Sequence, residues 1–219
     1  MMKHLLSLLI LCTILLPAGA AETTYTRTYD INAGSVTIDA AGTYLITGTG
    51  AKTTNTMKVN ASGQTVNITI QSIHIEADFS VGSLFDIIGG TVNLTLSGTN
   101  ILRVTGEGAY GEDKAALHIS ENQSLTITKE SDGASLTVDM GNVTATAIGA
   151  NYEEYSSGNF YGDLTINGGA ITAIIPSSVP AISGSTITIN GGYIVGDVKE
   201  AFFDGRALQS SKGIRIAGG

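Results

Sequence analysis

Cysteine is almost missing from this chain: one residue in 219, Cys12, inside an N-terminal apolar run. Tryptophan is absent and proline appears three times. Charged residues make up 14% of the chain, against roughly 25% in an average globular protein. These shortages exclude a disulfide scaffold, a collagen, a coiled coil and a charged disordered chain. Cations are the scarcer sign, 11 Lys+Arg against 19 Asp+Glu, for a net charge of −8. A chain with no basic stripe is not built to neutralise phosphates, so nucleic acid is excluded as a partner. Glycine is abundant instead, 28 residues, or about 13% against a usual share of roughly 7%.

The one long apolar run is Leu5 to Leu16. It follows Met1-Met2-Lys3-His4 and precedes Pro17-Ala18-Gly19-Ala20. That is a charged start, a short apolar stretch and an A-x-A cleavage site, so residues 1–20 read as a signal peptide cut after Ala20. The run is too short to span a bilayer, which takes roughly 20 residues. A lipid-anchoring signal would need small residues before Cys12, and Leu9-Ile10-Leu11 are not small. Cleavage removes Lys3 as well, leaving 10 basic against 19 acidic residues, or −9, and no cysteine. The expectation is a secreted monomer without an integral membrane segment, extracellular or periplasmic and associated with the cell surface.

The rest of the chain is short alternating strands punctuated by Gly, Asn and Ser, as in Ser35-Val36-Thr37-Ile38-Asp39. Period-2 apolar spacing with Thr or Asn between fits strands with one buried face, so the class is all-β. One strand type recurs at Val66–Ile70, Val92–Leu96, Ser124–Thr128, Asp163–Asn167 and Thr186–Asn190. A second follows each at Ser72–Ala77, Asn100–Thr105, Ala134–Met140, Ala170–Ile175 and Tyr193–Gly196. A third precedes each at Thr56–Asn60, Ser83–Ile87, Ala115–Ser120, Thr144–Gly149 and Pro180–Gly184.

Repetition in fixed order predicts a single-stranded right-handed parallel β-helix of about five to six three-strand coils. Residues 21–50 would form an N-terminal β cap and 51–219 the β-helix domain. The alternative is an antiparallel β-sandwich, because Asn167-Gly168-Gly169 and Asn190-Gly191-Gly192 are also hairpin signals.

Two long connections flank the third strand type and are expected to wall one groove. The first, residues 106–114, holds Glu107, Tyr110, Glu112 and Asp113. Three carboxylates in a Gly-rich loop suit calcium, although the EF-hand spacing is absent. The second, residues 150–162, holds Tyr152, Glu153, Glu154, Tyr155, Phe160 and Tyr161. Its rings are a candidate sugar-stacking platform, or else they fold back to cover the core. On the groove floor, strand alternation turns Lys58, Asp86 and His118 outward as a polar ladder.

Catalysis has little to stand on. G-x-S-x-G is absent, the mature chain has no cysteine, and only His74 and His118 remain after cleavage. Zinc is disfavoured for the same reason. A polysaccharide lyase or hydrolase is therefore the weakest reading, and the chain is expected not to be an enzyme.

Two runs carry a family resemblance. One is Lys114-Ala115-Ala116-Leu117-His118-Ile119, followed by Ser124–Thr128 and Ala134–Val138; the other is Ala41–Gly48, followed by Thr65–Ile70. Together they resemble the bacterial secreted carbohydrate-binding domains with a pectate-lyase-like right-handed parallel β-helix. The resemblance implies non-catalytic, calcium-assisted binding of acidic plant polysaccharide such as polygalacturonate. The acidic D-D-G-I-[KR] turn of that family is not matched at Thr146–Gly149 or Ala181–Gly184, and only Phe203-Asp204-Gly205 is similar to it. The competing expectation is a surface adhesin or structural solenoid that binds protein, including its own kind.

Overall fold

A computed structural model describes residues 23–108, 113–158, 162–176, 178–199 and 205–218. The signal-peptide segment, Tyr110, Glu112, Phe160, Tyr161, Phe203 and Asp204 lie outside the described residues. The chain forms β1 (Arg27–Asp30), β2 (Val36–Ile38), β3 (Gly42–Thr47), β4 (Met57–Gln71), β5 (His74–Asp78) and β6 (Phe85–Ser97). It continues with β7 (Thr99–Thr105), β8 (Leu117–Ile119), β9 (Ser124–Ile127), β10 (Ser135–Asp139), β11 (Ile148–Gly149) and the short helix α1 (Tyr152–Ser156). The last strands are β12 (Asp163–Ile166), β13 (Ala170–Ile175), β14 (Pro180–Ile189), β15 (Tyr193–Val198) and β16 (Arg206–Ile216).

The all-β reading holds, and each recurring segment overlaps a strand. The predicted architecture is corrected. β4, β6 and β14 each run through positions expected to be two separate strands, so the third and first strand types share one eleven-stranded sheet. Within it, hydrogen bonding divides at β6 into β8-β11 and β9-β12 and rejoins at β14. That is a closed six-strand parallel circuit, beside a separate five-stranded parallel sheet β15-β13-β10-β7-β5. A right-handed β-helix of three-strand coils does not describe this arrangement. Its physical source is the corners: Gly90 (φ 105°) bends β6 and Gly63 (φ 71°) bends β4 without ending the strand. The register shifts beside those bends, as at a β-bulge. Asn122 (φ 60°) instead breaks β8 from β9.

The antiparallel alternative also falls, because every described strand pairing is parallel. The Asn-Gly-Gly segments after β12 and β14 carry the chain into the other sheet rather than into hairpins. β1, β2 and β3 of the expected cap pair into the eleven-stranded sheet.

Parallel register stacks like residues into continuous interior columns. Ile68, Leu94, Ile127, Ile166 and Ile189 align in one sheet; Ile75, Leu102, Val138 and Ala173 align in the other. All are at most 5% exposed, and burying each Ile or Leu contributes roughly 1.5–3 kcal/mol. No single layer could bury its own apolar face, so the layers are stable only together.

Candidate functional site

The predicted ladder is present. Lys58, Asp86 and His118 stand in register on β4, β6 and β8, and the next position is Gly149 on β11. Gly149 has φ 124°, and a Cβ there would collide with the Ser183 carbonyl oxygen. Only glycine lets the chain leave the sheet here, toward Asn151 and α1.

The departing segment is tied down by hydrogen bonds. Ala150 N–H donates to Ser183 Oγ at 2.9 Å, and the Glu154 carboxylate reaches back to the Asn151 N–H at 2.8 Å. Asn151 Oδ1 accepts from Ala115 N–H at 2.9 Å, and the Asp113 carbonyl accepts from Tyr152 N–H at 3.0 Å. Lys114 Nζ lies 3.6 Å from Glu153. The described ends of the two long connections, 113–115 and 151–153, therefore meet.

Glu154 closes the ladder from above. The His118 side chain is 7% exposed and lies between two carboxylates. Nδ1–H donates to Asp86 Oδ1 at 2.8 Å, and Nε2–H donates to Glu154 Oε2 at 3.1 Å. Burial works against the imidazolium, but the hydrogen bonds and charges of Asp86 and Glu154 outweigh it and raise the His118 pKa to about 9. Asn151 Nδ2 also comes within 3.2 Å of Nε2; with both ring nitrogens donating to carboxylates, that approach is a packing contact. His118 has no free nitrogen with which to shuttle a proton.

Beside this cluster lies a cavity of about 330 Å³ bordered by Thr56, Lys58, Ser83, Asp86, Lys114 and Asn151. The aromatic platform is placed differently from the ladder. Tyr152 and Tyr155 are half-buried against the core, while Glu153 is exposed. Folding back over the core is the arrangement found for both described rings. Of the proposed calcium ligands, Glu107 is exposed, whereas Asp113 is 2% exposed with Oδ2 accepting the Thr144 N–H at 3.2 Å. Among the described residues, no three His, Cys, Asp or Glu side chains are grouped to hold a metal ion.

A second surface was not singled out from sequence. Further along β4 and β6, and on β9, β12 and β14, the outward residues align in columns. Asn67, Asn93, Thr126, Thr165 and Thr188 form one, and Thr65, Thr91, Ser124, Asp163 and Thr186 flank it. On the other flank Thr69, Thr95, Thr128, Asn167 and Asn190 succeed one another, linked by Thr95–Thr128 at 2.9 Å and Asn190–Asn167 at 2.8 Å. Asn93 Nδ2 donates to Asn67 Oδ1 at 2.9 Å. These side chains are exposed or half-exposed, and Asp163 is the single charge among the fifteen. A groove of about 540 Å³ crosses the first layers of this face, bordered by Tyr25, Thr43, Asn67, Asn93, Thr128 and Glu130.

The five-stranded sheet offers an internal control. Its outward columns read His74, Ile101, Thr137, Thr172, Val195 and Glu76, Arg103, Asp139, Ile174, Asp197. Strand physics is the same there, yet charge and apolar residues mix without pattern. Uniform Thr and Asn are thus not a by-product of parallel strands. The signal was in the sequence, since V-N-L-T-L and T-I-T-I-N carry their polar residues at every second place.

Among the described residues no helix is long and apolar enough to cross a membrane. No protein-family model, no curated protein and no solved structure matches this chain.

Proposed function

We propose that this is an exported polysaccharide-binding protein that holds an extended glycan along the Thr/Asn face without cleaving it. The observation that carries the reading is the in-register array of hydroxyl and amide groups over five layers, with Asp163 its single charge. Sugar hydroxyls both donate and accept, and so do Thr, Ser and Asn side chains. Layers spaced about 4.8 Å apart repeat the same groups along the stack, which suits a polymer with a short repeat. Tyr25 at the groove edge adds a ring face against which a sugar can pack. Because Asn67–Asn93, Thr95–Thr128 and Asn167–Asn190 are already cross-linked, the array is rigid before ligand arrives.

A second reading has its own observation: Lys58 and Lys114, 47% and 37% exposed, border the cavity beside His118. Two ammonium groups on an acidic chain suit the carboxylate of an acidic sugar, directly or with calcium bridging from the Glu107 loop.

The test is retention on insoluble neutral polysaccharides and on polygalacturonate, with and without chelator. Thr126→Val, Thr165→Val and Thr188→Val together should weaken retention by about tenfold or more, since each lost hydrogen bond is worth roughly 0.5–1.5 kcal/mol. Thr137→Val with Thr172→Val on the other sheet should leave it unchanged. Retention that survives the first set rejects this face as the site. Loss only on polygalacturonate in Lys58→Met plus Lys114→Met favours the second reading.

A further inference from the structure

The two ends of the stack are finished differently. At the N-terminal end Ile31, Val36 and Ile38 are 0%, 3% and 2% exposed. At the C-terminal end Ile214 and Ile216 continue the interior columns, in register with Ile187 and Ile189, yet are 43% and 67% exposed. Tyr193, on the terminal strand of the other sheet, is 70% exposed. Among the described residues, β16 is hydrogen-bonded on one edge only, to β14, as β1 is to β3 and β2 to β4. Open strand edges of the described residues therefore stand at both ends, and all run in the same direction.

Charge separates the two ends as well. Described residues 205–218 carry Arg206, Lys212 and Arg215 and no acid. The layer of residues 23–41 carries Asp30 and Asp39 against one cation, Arg27. Joining two C-terminal ends would set three cations against three. Joining the C-terminal end to the N-terminal end of another copy sets cations against carboxylates and continues the parallel register.

We propose that β16 and its exposed isoleucines dock onto the β1–β2 end of a second copy of this chain, head to tail. The interface is heterologous, so association does not stop at a dimer but grows as a linear file of copies. The exposed Ile214 and Ile216 gain cover and the open edges gain partners. The docking does not depend on what the Thr/Asn columns bind. Lys and Arg on an exposed edge strand also discourage pairing with strands that lack complementary charge.

Charge reversal tests it. Sedimentation velocity on the purified protein over a range of concentrations should show species larger than dimer, weakened by added salt. Lys212→Glu with Arg215→Glu places acid at the C-terminal end, and Asp30→Arg with Asp39→Arg places base at the N-terminal end. Each variant alone should raise the concentration needed for association by about tenfold or more, because every junction then pairs like charges. Mixing the two should restore association, because every mixed junction pairs opposite charges. All four positions are exposed, and circular dichroism melts check that each variant folds. A protein that stays monomeric throughout, one that stops at a dimer, or a mixture that fails to recover while both variants melt normally would each overturn the proposal.

Discussion

The same strands write two different outer surfaces. On β4 and β6, Lys58 and Asp86 lead into His118, Gly149 and Ser183; nine and seven residues further along those strands, Asn67 and Asn93 lead into Thr126, Thr165 and Thr188. The first column changes character at every layer because each residue meets something particular. Asp86 meets His118, His118 meets Glu154, Gly149 makes room for a departing chain, and Ser183 holds the Ala150 N–H. The second column repeats where none of the described residues covers it. Heterogeneity marks a surface consumed by folding; uniformity on an exposed face is what the proposed binding to a repeating polymer requires.

The comparison breaks most visibly at His118. Replacing it with leucine removes the cation between Asp86 and Glu154, which are only 24% and 20% exposed, and leaves Lys58, 4.0 Å from Asp86, as the nearby charge. Removing one member of such a buried cluster costs about 3–5 kcal/mol, measured as a fall in unfolding free energy in urea. Adding Asp86→Asn and Glu154→Gln to His118→Leu should recover most of the loss, since the unpaired charges are then gone. A cost below about 1 kcal/mol for His118→Leu alone, as for an exposed ion pair, would mean that the first column is no more committed to folding than the second.

Proton linkage sharpens the same point. The imidazolium of His118 is favoured in the folded state, its pKa raised from 6.5 to about 9. A raised pKa means that the stabilisation is complete below the unfolded value and disappears as pH climbs through the folded one. Stability should therefore decline between about pH 6.5 and 9 by roughly 3 kcal/mol, read as a falling urea midpoint. His118→Leu should lose that decline while the Thr/Asn variants retain it. A wild-type midpoint flat across this window would remove His118 from the account.

Much of this was legible in the sequence, and the rest had physical reasons to stay hidden. Period-2 spacing located the strands, and the ladder Lys58–Asp86–His118 followed from alternation alone, because pleat geometry fixes which way a residue faces. Sheet membership was not legible: whether Gly89-Gly90 ends a strand or bends it depends on the layers above and below. From sequence Glu154 is one carboxylate of a long connection; that it reaches back over His118 depends on Gly149 and Asn151 turning the chain onto the strand face. Tyr152 and Tyr155 illustrate the same gap, since a loop aromatic reads alike whether it stacks on ligand or on its own core. The Thr/Asn columns are legible in the sequence as strands and not as a surface, because a single strand shows only one layer of an array.

The smallest stability effect belongs to the second column, and it is the most discriminating. Thr126, Thr165 and Thr188 are half-exposed, and valine keeps both the β-branched shape and the strand preference of threonine. A cross-strand pair of such residues is worth roughly 0.2–1 kcal/mol, and valine retains most of it through packing. Each substitution should therefore move stability by no more than about 0.5 kcal/mol. If the column were there to hold the layers together, replacing all three residues would lower the thermal midpoint by several degrees and leave retention on polysaccharide untouched. If it is there to meet a polymer, the midpoint stays and the retention goes. The two readings predict opposite pairs of results from one protein preparation, so a melt and a binding assay on the triple variant decide between them.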